Sequence, residues 1–127
     1  MSQTNLWRLI RSGAADGAWN MAVDEAMLEA GVAGLIAPTL RCYAWAPPTV
    51  SLGFFQPLDE RIDLAQIAAR GFGLVRRPSG GRAILHKDEL TYSVVVPETL
   101  IPDGRSVMGS YRALSRGIEA GLQRLGL

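Results

Sequence analysis

The chain changes hydrophobic period several times, and each change predicts an element. Leu6 to Ile10 sets aliphatic and aromatic residues around Arg8, which predicts a strand broken by Ser12 and Gly13. From Asp16 the period becomes helical. Trp19, Ala22, Val23, Ala26, Met27 and Ala30 form the apolar stripe, Asp16 serves as N-cap, and Gly31 ends the helix. Asp24, Glu25 and Glu29 fall off that stripe, and Asn20, Asp24 and Glu25 read as a polar helix face rather than as direct chemistry. Thr39 to Trp45 alternates again: Leu40, Cys42 and Ala44 against Arg41, Tyr43 and Trp45. Pro47-Pro48 stops pairing, and Thr49 to Leu52 restarts it before Gly53, which predicts a hairpin with Trp45 and the prolines at its tip.

Ile62 to Arg70 predicts a short helix with Gly71 at its C-terminus, followed by a strand over Phe72 to Val75. Ala83 to Leu85 and Leu90 to Val96 predict a second hairpin with His86, Lys87, Asp88 and Glu89 at the tip. Its Val94–Val96 run suits a central strand covered on both faces. Pro97 to Arg105 is a loop. Ser106 caps a last helix in which Val107, Tyr111, Leu114, Ile118, Leu122 and Leu125 recur every three or four residues, and Gly126 follows it. The expectation is one α+β unit, a mixed β-sheet with packed helices.

Composition narrows the classes. At 127 residues the chain is long enough for one domain with a core, and 48% hydrophobic with 20% charged content is that of an ordinary globular protein. A net charge of +1 implies neither nucleic acid nor an anionic membrane as partner. No stretch approaches the roughly 20 apolar residues of a membrane span. The single cysteine, Cys42, excludes an intrachain disulfide and fits a reducing compartment. The N-terminal residues lack the apolar run of a signal peptide, so cytoplasm is the expected location.

The densest chemistry lies in Arg76 to Val96. Pro78 fixes its own φ, Gly80 and Gly81 reach backbone conformations other residues avoid, and Arg76, Arg77 and Arg82 flank the turn. Exposed N–H groups between guanidinium forks suit a phosphate or carboxylate; a solvated hairpin turn is the plainer alternative. The Walker A spacing is absent. Cys42 sits mid-strand with no acid or base beside it in sequence, so it reads as structural rather than nucleophilic. His86, the only histidine, gains interest from its position at a strand end that returns beside the glycine loop.

Arg76-Arg77-x-Ser79-Gly80-Gly81-Arg82-x-x-x-His86 closely resembles the signature loop of the lipoate–protein ligase and octanoyltransferase family, within the biotin/lipoate ligase superfamily. Three further stretches agree in order: Asn20-Met21-Ala22-Val23-Asp24-Glu25-Ala26, then Tyr43-x-Trp45-x-Pro47-Pro48-x-x-Ser51-x-Gly53, then Glu89-Leu90-Thr91-Tyr92-Ser93. The resemblance runs from about Trp7 to Leu127. Arginine after the two glycines, with His-Lys-Asp-Glu-Leu-Thr-Tyr-Ser following, looks most like octanoyltransferases that use a cysteine nucleophile.

The resemblance implies a biotin/lipoate ligase-like catalytic domain of class II synthetase type. It implies substrate-site roles for Arg76, Arg77, Ser79, Gly80, Gly81, Arg82, Ala83, Ile84, Leu85 and His86, with Tyr43, Trp45 and Gly53 as further pocket wall. An apolar slot would draw on Val75, Ile84, Leu85 and Val94–Val96, which would equally serve an ordinary core. The family also needs a lysine in a Gly-Arg-Lys-Ile/Val-Ala-Gly-Ser segment and, in the octanoyltransferases, a cysteine acyl acceptor. Neither segment occurs in the 127 residues, and Lys87, the only lysine, lies in no such motif. The chain is therefore expected to be the N-terminal part of an incomplete catalytic domain, carrying no catalytic residue itself. The implied reaction moves an octanoyl or lipoyl group from acyl carrier protein to a lysine of a lipoyl domain or of glycine-cleavage H protein, with no metal or cofactor. The alternatives are an ATP-dependent lipoate–protein ligase, using ATP and Mg with Arg77 and the Arg82–Leu85 backbone at the adenylate, and a non-catalytic module binding acyl carrier protein or a lipoyl domain.

Overall fold

The computed structural model describes residues 6–127. They belong to two compact units, one running through Val95 and one over Val96–Leu127, where the sequence suggests a single unit.

The first unit uses one connection twice. Strand β1 (Arg8–Ala15), helix α1 (Gly17–Val32) and strand β2 (Thr39–Trp45) form a crossover that leaves β1 and β2 parallel. Strand β3 (Thr49–Leu52), helix α2 (Leu64–Ala69) and strand β4 (Gly73–Arg76) repeat it. Each parallel pair then gains an antiparallel strand. β5 (Ile84–His86) joins β3, and β6 (Thr91–Val95) joins β2. The result is two mixed three-stranded sheets, ordered β1-β2-β6 and β4-β3-β5.

This topology overturns both predicted hairpins. β2 and β3 lie in different sheets, and so do β5 and β6. Adjacent strands with a short link look like a hairpin in sequence; here the link carries the chain from one sheet to the other. β6 is an edge strand among the described residues rather than a central one. β1 runs through the predicted break, because Gly13, at φ 73°, absorbs a register shift after Arg11 and pairing resumes. Its predicted start at Leu6 and Trp7 lies outside the strand.

Helix α1 starts where predicted: the Asp16 side chain accepts from the Trp19 N–H at 2.8 Å. It ends two residues later than predicted, with Ala33 as cap, so Gly31 is helical. The larger correction concerns its face. Gly17, Asn20, Met21, Asp24 and Met27 are the buried residues, and Trp19 is 61% exposed. The helix is rotated so that two polar residues of the predicted solvent face point inward. In β2 the buried positions are Thr39, Arg41, Tyr43 and Trp45, whereas Leu40, Cys42 and Ala44 are half-buried. A polar stripe of α1 thus meets a polar and aromatic face of β2, and Met21, Tyr43 and Trp45 form the apolar cluster between them. Val75 packs against that cluster.

α2 is shorter than predicted, capped by Asp63, and Gly71 follows it at φ 66°. In the second unit, a 3-10 turn (Glu98–Leu100) interrupts the predicted loop. Helix α3 (Val107–Arg124) is capped by Ser106 and followed by Gly126 at φ 82°, as predicted. Among the described residues no helix is long and apolar enough to cross a membrane.

Candidate functional site

The glycine loop is built by its two arginines. Arg76 ends β4 and Arg77 follows it, and their guanidinium groups turn back onto backbone carbonyls. Arg76 Nη1 donates to the carbonyls of Gly53 at 2.7 Å and Gln56 at 2.6 Å. Arg77 Nη1 donates to the Ser51 carbonyl and hydroxyl, both at 3.0 Å. Its Nη2 donates to the carbonyls of Gly80 and Arg82, both at 2.8 Å. Burial lowers the Arg77 pKa below its ordinary value. The Phe54 N–H closes the loop from the other side, donating to the Ser79 carbonyl at 2.9 Å. Gly53 and Gly81 touch so closely that a Cβ on Gly53 would overlap the Gly81 carbonyl. Gly81 itself has φ 96°, which favours glycine. Two of the three predicted anion-binding forks, Arg76 and Arg77, are thus engaged in holding the loop.

Beside this loop a cleft of about 420 Å³ opens within the first unit. That falls inside the roughly 300–1,000 Å³ of small-molecule sites. Met21 and Leu28 from α1, Ile84 from β5, and Val94 and Val95 from β6 supply apolar wall. Arg77, Ser79, Ser51 and His86 lie at the loop end. Of the predicted site residues, Arg77, Ser79, Ile84, His86, Tyr43 and Trp45 border the cleft. Arg76, Gly53, Gly80, Gly81, Arg82, Ala83 and Leu85 do not border it; Arg76, Gly53, Gly80, Gly81 and Arg82 instead take part in the loop contacts just described. Of the predicted slot, Ile84, Val94 and Val95 line the cleft, and Val75 belongs to the core cluster.

His86 is buried, with its ring stacked on Trp45 at 4.1 Å between centroids and 11° between planes. Its Nε2 lies 2.7 Å from Ser51 Oγ, and its Nδ1 meets Glu89 Oε1. Under the same cleft lies a second polar cluster. Arg41, fully buried, donates from Nη1 to Asp24 Oδ1 at 2.7 Å and from Nη2 to Asn20 Oδ1 at 2.8 Å. Asp24 also accepts from Tyr43 Oη at 2.8 Å and Ser93 Oγ at 2.7 Å. The Arg41 guanidinium lies 4.0 Å from the Tyr43 ring centre. Burial, and then the bond to the Asp24 carboxylate, push the Tyr43 pKa well above its ordinary value.

Sequence reasoning assigned no site role to Asp24, Arg41, Ser51, Glu89, Thr91 or Ser93. A signal existed for three of them. Glu89, Thr91 and Ser93 alternate at period two, so they share one face leading into β6, and that face carries the carboxylate and the aliphatic hydroxyls of the segment. Cys42 is half-buried, and among the described residues no three His, Cys, Asp or Glu groups are placed to hold a metal. A larger hollow, about 930 Å³, lies within the second unit between Glu98 and Arg116 and borders no predicted site residue.

Two mixed three-stranded sheets, with a cleft of apolar wall and a polar loop end, define an α+β protein with a small-molecule-sized hollow. The chain belongs to the lipoyl protein ligase A/B catalytic domain family, whose model matches residues 16–127. It is similar to the octanoyltransferase LipM of Kyrpidia tusciae, 51% identical over 120 residues, covering 94% of this chain and 44% of that protein. The octanoyltransferase LipM of Staphylococcus aureus is 46% identical over 123 residues, with 97% and 45% covered. The chain thus spans less than half the length of these relatives. Among solved structures, lipoate-protein ligase A bound with ATP superposes with a TM-score of 0.80 at 28% identity, over 94% of this chain and 47% of that one. A putative lipoate protein ligase of T. acidophilum with bound lipoic acid gives 0.59 at 32% identity, over 68% and 36%.

Proposed function

We propose that this chain is the N-terminal part of an octanoyltransferase that moves an octanoyl group from acyl carrier protein to a lysine of a lipoyl domain or glycine-cleavage H protein. The cleft carries the reading. Its apolar wall suits an eight-carbon chain, each buried methylene stabilising by about 0.8 kcal/mol, and its loop end suits a thioester head. The octanoyltransferases to which the chain is similar support the same reaction over the ligase alternative. In this reading Arg77, Ser79, Ile84 and His86 border the acyl group with Tyr43 and Trp45, and Arg76, Gly80, Gly81 and Arg82 shape the loop. A cysteine and a lysine of the enzyme outside the 127 residues complete the site: the cysteine thiolate attacks the carrier thioester and releases the carrier thiol, and the lysine of the acceptor protein then attacks the acyl-enzyme and releases the cysteine. Neither ATP nor a metal takes part.

The test uses the full-length protein with octanoyl-acyl carrier protein and H protein, read by intact mass. Octanoylation of H protein without ATP is expected. Transfer that requires ATP, Mg and a free acid would replace this reading by the ligase. Binding without transfer under either condition would replace it by the non-catalytic module.

A further inference from the structure

One run of hydrogen bonds joins the two sheets at the loop end of the cleft, and the proposed transfer gives no role to its Ser51, Glu89 and Thr91 members. Arg77 Nη1 donates to Ser51 Oγ at 3.0 Å, and Ser51 Oγ lies 2.7 Å from His86 Nε2. His86 Nδ1 meets Glu89 Oε1, which also accepts from Thr91 Oγ1 at 2.8 Å. Thr91 Oγ1 in turn accepts from Trp45 Nε1 at 2.7 Å, and the Trp45 ring lies flat on His86.

The direction of every bond follows from the two ends. Guanidinium and indole N–H groups only donate, and an ionised carboxylate only accepts. The buried Ser51 hydroxyl accepts from Arg77, and its own O–H has only His86 Nε2 as acceptor, to which it donates a hydrogen bond. That nitrogen therefore carries no proton, and Nδ1 carries the one that Glu89 accepts. In the other tautomer a bare Nδ1 would face a carboxylate oxygen. Any proton on Nε2 would also strand the Ser51 hydroxyl proton, and Ser51 is fully buried.

We propose that His86 is a positioning residue, held as the neutral Nδ1–H tautomer by Ser51 and Glu89, that fixes the glycine loop through Arg77. Arg77 is the link, because the guanidinium that shares Ser51 with His86 also holds the Gly80 and Arg82 carbonyls. With both ring nitrogens engaged, His86 takes no proton from a bound molecule. It sets the place of the loop end against which the acyl head lies, and in that respect the proposal rests on the acyl-site reading of the cleft.

The test is nitrogen-15 NMR of the histidine-labelled full-length protein, with the His86 signals assigned by their loss in His86→Asn. At neutral pH, Nδ1 should show the protonated, pyrrole-type shift and Nε2 the bare, pyridine-type shift. Ser51→Ala and Glu89→Ala should each release the tautomer, speed amide exchange at Phe54 and Arg77, whose N–H groups bond the Ser79 and Leu52 carbonyls at the loop, and raise KM for octanoyl-acyl carrier protein about tenfold with a smaller effect on kcat. Ser51→Thr and Glu89→Gln keep an oxygen at each end and should restore all three. Should Ser51→Ala fail to fold, the Glu89 pair decides, since Glu89 is near the surface. A proton on Nε2 in the wild type, or a Glu89→Ala protein with unchanged tautomer and loop exchange, overturns the proposal. A wild type that transfers no octanoyl group, yet loses the tautomer and loop protection on Glu89→Ala, refutes the acyl-transfer reading and leaves the positioning network standing.

Discussion

Asp24→Ala would remove the acceptor at the centre of the α1–β2 contact. Three donors converge on Asp24: Arg41 Nη1, Tyr43 Oη and Ser93 Oγ, at 2.7, 2.8 and 2.7 Å. The critical one is Arg41, whose side chain is completely buried. It keeps bonds to Asn20 and Ser12, but nothing else there carries negative charge against it. Breaking a buried pair by removing one partner costs about 3–5 kcal/mol, because the remaining charge stays desolvated. The assay is denaturant unfolding of the wild type, Asp24→Ala, Arg41→Met and the double variant. The double variant should be less destabilised than the two singles summed, by about 1–3 kcal/mol, since it leaves no orphaned charge. An Asp24→Ala effect within about 0.5 kcal/mol is what a solvent-facing helix position would give, and it would refute the buried network. Strict additivity would show that Asp24 and Arg41 do not interact.

Gly53→Ala should lose octanoyl transfer, because its Cβ would overlap the Gly81 carbonyl and the loop must shift; an unaltered rate would disprove the close approach. Arg77→Lys should recover little of the activity lost in Arg77→Ala, since one ammonium cannot reach the Ser51, Gly80 and Arg82 acceptors together; measuring transfer rate and loop amide exchange checks both halves. The raised Tyr43 pKa adds stability that is fully present below the ordinary value of 10.0 and is lost as pH rises above it, because only the unfolded phenol then ionises readily. Unfolding followed from pH 8 to 11 should therefore show a steeper alkaline loss in the wild type than in Tyr43→Phe, and parallel curves would refute the shift.

The sequence by itself determined the elements and the loop. Caps at Asp16 and Ser106 act over three residues, so they are legible locally, and each forms the bond its position predicts; Asp63, which caps α2, reads in sequence as an interior residue of that helix. The Arg76–His86 motif was visible because its residues are contiguous, and several of them do border one cleft. Tertiary structure decided what those residues touch. Arg76 and Arg77 present free forks in sequence, but carbonyls of the Ser51–Gln56 segment come within reach and take their donors. Partition of the strands between two sheets depends on which edges meet in space. No local pattern distinguishes a hairpin from a link between sheets, and so β2 and β3 were paired wrongly. The inward face of α1 was misread for the same reason. Periodicity assigns polar residues to solvent, because burying them alone is costly. Arg41, seventeen residues beyond Asp24, removes that cost by supplying the partner charge, and a partner at that separation is brought close only by the fold.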